Sequence, residues 1–231
     1  MGQILILGVF MLLSWIVSSQ LKSRFRRYSE IPVNYGMSGR DVAEKMLHEN
    51  GITDVSVISV DGQLTDHYNP LDKTVNLSPD VYNGRNVAAA AVAAHECGHA
   101  IQHAQAYAPL KLRTSLVPLQ NASAKVMNII FMMMFFGAIL FQRIFPMDIA
   151  LIVIIACYAV FTLFAMITLP VEINASHRAL VWLSSSNVTG QGSYPQAKDA
   201  LKWAAYTYVV AALSSLAMLL YYVFLLLGRR D

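Results

Sequence analysis

The chain has 231 residues, of which 56% are hydrophobic and only 13% charged, and that is too apolar for an ordinary soluble domain. The net charge of +3 is mild, and Lys and Arg gather between apolar runs rather than along one stripe, so no nucleic-acid partner is expected. Two cysteines, Cys97 and Cys157, exclude a disulfide framework.

Residues 3–19 form a run apolar and long enough to cross a membrane. A cleaved signal peptide carries its positive charge ahead of the apolar run; here the charge follows it, at Lys22, Arg24, Arg26 and Arg27. Residues 1–20 therefore read as an uncleaved anchor, with residue 21 onward in the cytoplasm. Residues 21–122 read as a small α+β segment. Ser38-Gly39-Arg40-Asp41 has the form of a capping box, and Val42, Met46 and Leu47 give an amphipathic helix ending near Gly51. Val55 to Val60 alternates as a strand, Asp61-Gly62 reads as a hairpin turn, and Gln63 to Thr65 as the return. Asp66 to Pro70 reads as a polar loop. Lys73 to Ser78 reads as a further strand, which at a sheet edge would take a substrate backbone by strand addition. His67, beside Asp66, is either a ligand, a catalytic helper or part of a hydrogen-bonded turn.

Residues 86–106 read as one helix. They contain no proline, they are dense in alanine, and Asn83-Gly84 and Pro109 bracket them. This helix carries His95-Glu96-Cys97-Gly98-His99. Two His four residues apart share one face of a helix, so both imidazoles reach a single metal ion. Zinc suits such a pair and leaves an open position for water. Glu96 lies roughly 100° round the helix from His95, where it can act on that water without binding the metal. Cys97 points away from both His and reads as packing. His103 is a poor third ligand, since it lies about 12 Å along the axis from His95.

Residues 123–170 read as a transmembrane hairpin of two apolar runs, 126–141 and 149–169, joined by Gln142 to Asp148. A hairpin returns the chain to the face it left, so residues 171–203 come back beside the His95–His99 helix. Only two acidic residues lie between Gly98 and Lys198, namely Asp148 in the far loop and Glu172 just after the hairpin. A catalytic zinc site needs a third ligand, and Glu172, on an expected helix over 171–183, is the best placed. His177 and His67 compete with it. Residues 204–227 read as a fourth span. Lys and Arg support the orientation: eleven lie within 21–125, while Arg143 stands alone in the opposite loop.

Several stretches together resemble the YugP-type neutral zinc metallopeptidases of bacterial membranes. They are Leu64 to Pro70, Val75 to Ser78, Ala93 to Gln102 and Leu169 to Ala179. The resemblance covers nearly the whole chain and implies a bacterial, multi-pass membrane zinc peptidase. More distantly, Glu172-Ile173-Asn174-Ala175 after such a helix is similar to the HtpX-like gluzincins, which implies Glu172 as third ligand. Those relatives carry Asp four residues after the Glu, where this chain has Ser176. That departure bears on what stands behind the ligands, not on the ligand itself.

The expected molecule is mainly α, with four transmembrane helices and a small zincin-like α+β catalytic part at the cytoplasmic face. One Zn²⁺ is held by His95, His99 and Glu172, and Glu96 is the general base. Arg178 or His177 binds the oxyanion. Partners are the lipid bilayer and a protein or peptide substrate, membrane proteins included. Two alternatives stand beside this reading: an adaptor with a structural zinc, and a protease cutting within the bilayer.

Overall fold

A computed structural model describes residues 2–62, 65–136 and 147–228. Its elements are α1 (Gly2–Tyr28), α2 (Gly39–Glu49), β1 (Ser56–Ser59), β2 (His67–Asn69), β3 (Thr74–Leu77), α3 (Pro79–Tyr82), α4 (Val87–Ala104), α5 (Ala108–Phe136), α6 (Met147–Ser185) and α7 (Gly190–Leu227). They divide into two compact units. One comprises Met1–Trp15, Leu112–Leu169 and Tyr208–Asp231; the other comprises Ile16–Lys111 and Pro170–Thr207.

The first unit is built from segments of α1, α5, α6 and α7. Met127 and Ile130, Leu151, Ile154 and Cys157, and Met218 and Tyr222 form its core. Tyr158 stacks on Tyr222 with ring centres 5.4 Å apart. Large apolar side chains also point outward, among them Ile129, Phe131, Ile152, Leu163 and Phe224. Helices apolar on both inner and outer faces suit a lipid surround. Among the described residues, three helices are long and apolar enough to cross a membrane: Gly2–Tyr28, Asp148–Ser185 and Gly192–Leu227. The remaining expected span, 126–141, begins within α5. Its remainder and most of the loop after it, residues 137–146, lie outside the described residues.

The second unit packs around α4. Alanines line this helix, and fourteen of its residues are buried. Small side chains let neighbours approach from every side, so Val42, Met46 and Leu47 of α2, Val75 and Leu77 of β3, and Ala179 and Leu183 of α6 share one core with it. The capping box of α2 forms as the sequence specifies: Ser38 N donates to Asp41 Oδ2 at 2.8 Å, and Asp41 N to Ser38 Oγ at 3.2 Å.

The described strands form one sheet with a strand where a polar loop was expected. Its order is β1-β3-β2, with β3 parallel to β1 and antiparallel to β2. The residues read as a polar loop contain β2, an outer strand, and Gln63 and Leu64 of the expected return lie outside the described residues. Val75 and Leu77 are fully buried, which draws β3 to the middle and leaves β1 and β2 at the edges. With a neighbour on each side, β3 has no edge on which to take a substrate strand.

Proline also behaves differently from expectation. Pro109 does not stop α4, which ends at Ala104; it sits in the first turn of α5, where its missing N–H costs nothing. The span and the helix expected over 171–183 are one element, since α6 runs through Pro170 unbroken. An interior proline costs about 3 kcal/mol in an isolated helix. Here the turns after it are held by burial of Val171, Glu172, Ala175 and Ala179, so packing outweighs the local penalty.

Candidate metal centre

The centre lies where α4 faces α6. On α4, His95, Gly98, His99 and Gln102 follow helical spacing along one stripe. On α6, Glu172, Ala175, Ser176 and Ala179 do the same. The two stripes meet at Gly98 and Ala175. A Cβ at position 98 would stand 2.5 Å from the Ala175 carbonyl oxygen, so glycine is what lets the backbones come this close. The approach brings long side chains on either side of the contact within reach of each other.

Three of them converge. His95 Nε2 and His99 Nε2 lie 3.3 and 3.4 Å from Glu172 Oε2. Their ligand atoms all fall within 4.8 Å of one another. Glu172 is 2% exposed, His99 7%, and the His95 side chain 12%. Two ligands of a tetrahedral zinc ion, each at ~2.0–2.1 Å, stand roughly 3.3 Å apart. The two nitrogen–oxygen spacings match this value.

The hydrogen bonds behind the imidazoles sharpen the point. Gln102 Nε2 donates to the Val171 carbonyl at 2.8 Å and to Asn174 Oδ1 at 3.0 Å. A backbone carbonyl only accepts, so the amide orientation is fixed and Oε1 faces His99 Nδ1 at 3.0 Å. His99 must therefore donate from Nδ1. Ser176 Oγ sits 3.1 Å from His95 Nδ1 in the equivalent place. In a neutral His99 the Nε2 lone pair faces a carboxylate oxygen, so the approach needs a proton or a metal ion between the two. Burial disfavours a charged His99, but the Glu172 hydrogen bond and the charges of Glu96 and Glu172 outweigh it and raise its pKa. Two imidazole nitrogens and a carboxylate form a donor set that fits one zinc ion.

The other residues singled out in the sequence fall as follows. Glu96 is buried on α4 beside His95. His177 is exposed, one residue past Ser176. Arg178 Nε donates to Asn174 Oδ1, and its Nη1 to Gln105 Oε1, each at 2.7 Å. His103 pairs with the Tyr68 hydroxyl at 2.7 Å. His67 is exposed and meets the Thr65 carbonyl at 2.7 Å, outside the cluster. Asp66 accepts from Ser78 N at 2.7 Å and from its hydroxyl, tying β2 to the start of α3. Burial raises the Asp66 carboxyl above its usual range against the pull of those bonds. Cys97 is buried, its thiol donates to the Ala43 carbonyl at 3.5 Å, and burial pushes its pKa well up.

Sequence reasoning missed Gln102 and did not foresee the contact of Ser176. The signal was spacing: Gln102 is one helical turn past His99, and Ser176 one turn past Glu172.

No solved structure matches the chain. Among curated proteins it is 39% identical over 219 residues to the "Putative membrane protease YugP" of Bacillus subtilis (strain 168), covering 95% of this chain and 94% of that protein. The family described as "putative neutral zinc metallopeptidase" matches residues 3–227, and with its pattern spanning nearly every element described above, this chain belongs to that family.

Proposed function

We propose that this protein is a membrane-bound zinc endopeptidase whose one Zn²⁺ is held by His95, His99 and Glu172 at the cytoplasmic membrane face. The observation that carries the reading is the convergence of those three side chains at zinc spacing, with His99 held from behind in the metal-binding tautomer. Bound there, zinc would polarise a peptide carbonyl and acidify water. Glu96 takes a proton from the attacking water and returns it to the departing amine. A donor from the His177–Arg178 pair stabilises the oxyanion. The substrate chain lies along β2, the edge strand tied to α4 through Tyr68 and His103. The catalytic part is zincin-like, and substrates are proteins or peptides, membrane proteins included.

The full protein in detergent is expected to carry about one zinc per chain and to cleave unstructured polypeptide. A chelator should stop cleavage, and added zinc should restore it. A zinc-loaded preparation that cleaves nothing in a diverse peptide library would sink the peptidase reading.

The proposed topology has four spans, the hairpin pair being 126–141 and 149–169, with residues 30–120 and 171–203 in the cytoplasm. Single cysteines at positions 40 and 190 should resist a membrane-impermeant thiol reagent in intact cells and react after lysis. A cysteine at position 143 should react from outside. Labelling of position 40 or 190 in intact cells reverses the orientation.

A further inference from the structure

We infer that Gln102 is the positioning residue of the metal centre, accepting the His99 Nδ1 proton while gripping the turn of α6 that carries Glu172. The inference rests on the proposed zinc site and adds a residue to it.

Gln102 is fully buried, an uncommon place for an amide. Both ends of that amide are used. Its oxygen meets His99 Nδ1, and its nitrogen donates to Val171 O and Asn174 Oδ1. Val171 precedes Glu172 by one residue and Asn174 follows it by two. One side chain thus meets the ring of one ligand, the backbone carbonyl just before the other and a side chain just after it. Arg178 donates to the same Asn174 oxygen and reaches back to Gln105 on the α4 side, which sets the Asn174 amide with its oxygen toward Gln102. Donation through the amide nitrogen polarises Gln102, so its oxygen becomes a better acceptor for His99.

The partners behind the two imidazoles are both neutral. His95 meets a hydroxyl and His99 an amide. Metal-ligating His usually donates to a carboxylate, a carbonyl or water. Here the amide fixes His99 by geometry, with no negative charge behind the ring.

The test uses the full chain in detergent, with Zn²⁺ affinity read by competition against a chromophoric chelator. The visible absorption of the Co²⁺-loaded protein reports ligand geometry. Gln102→Met keeps the volume and apolar fit but removes all three bonds. It should keep the circular dichroism of the wild type, bind Zn²⁺ roughly 10–100-fold more weakly and alter the Co²⁺ bands. Asn174→Ala removes the acceptor shared by Gln102 and Arg178 and should weaken binding measurably, but less than Gln102→Met does. Gln102→Met with wild-type Zn²⁺ affinity and Co²⁺ bands overturns the inference while leaving the zinc site standing. If Gln102→Met does not fold, Asn174→Ala decides, and unchanged affinity there overturns it. A wild type that binds neither ion overturns the zinc site and this inference together.

Discussion

Glu172→Ala will purify folded, nearly free of zinc and inactive, whereas His177→Ala and His67→Ala will keep their metal. The carboxylate is 2% exposed and faces two imidazole nitrogens at 3.3 and 3.4 Å. Its helix neighbours on that stripe, Ala175 and Ala179, are fully buried against α4, so alanine at 172 continues a surface of small side chains. Folding therefore survives the change. Metal binding does not, because two imidazoles alone leave half of a tetrahedral site to water. The loss of affinity should exceed the ~10–100-fold that losing a supporting partner costs. Glu172→Asp shortens the reach by one methylene and should weaken zinc less. His177 is exposed and His67 is bound to the Thr65 carbonyl, so neither should matter to zinc content. Metal analysis of the four variants beside wild type decides. Full zinc in Glu172→Ala with loss in His177→Ala would rewrite the ligand set as three His.

What could be read from the sequence was local. The capping box at Ser38–Asp41, the alanine-rich helix and the pairing of His95 with His99 all depend on spacing within one helix, where a side chain's direction follows from its number. Glu172 came from scarcity, because so few acids lie downstream of the motif. The sheet order was not legible. Whether β1 pairs with its near or far neighbour is set by which strand buries more apolar surface, and that depends on residues distant in sequence. That the span and the helix over 171–183 are continuous was not legible, because Val171 to Ala179 are held helical after Pro170 by packing on α4. The role of Gln102 was not legible, since it needs Val171 and Asn174 from another helix. Ser176 read as a missing Asp for the same reason. Its partner, His95, lies 81 residues away.

Glu96→Gln separates the metal from the chemistry. The side chain is buried next to His95, so an isosteric amide fits the same space. It is not among the converging ligand atoms, so zinc content should stay at the wild-type level. The amide cannot take up a proton at neutral pH. Water must then attack without a base, and the amine must leave without an acid. Turnover should fall by roughly 10²-fold or more. The fall should appear in kcat rather than in KM, because proton transfer is felt in the transition state and substrate binding is not changed. Two results would break the assignment in different ways. Retained turnover with intact zinc means the base is another group. Lost zinc means Glu96 holds the site together, and the division of labour between Glu96 and Glu172 must be redrawn. The comparison with Glu172→Ala makes the outcome readable, since one variant should lose activity with its metal and the other while keeping it.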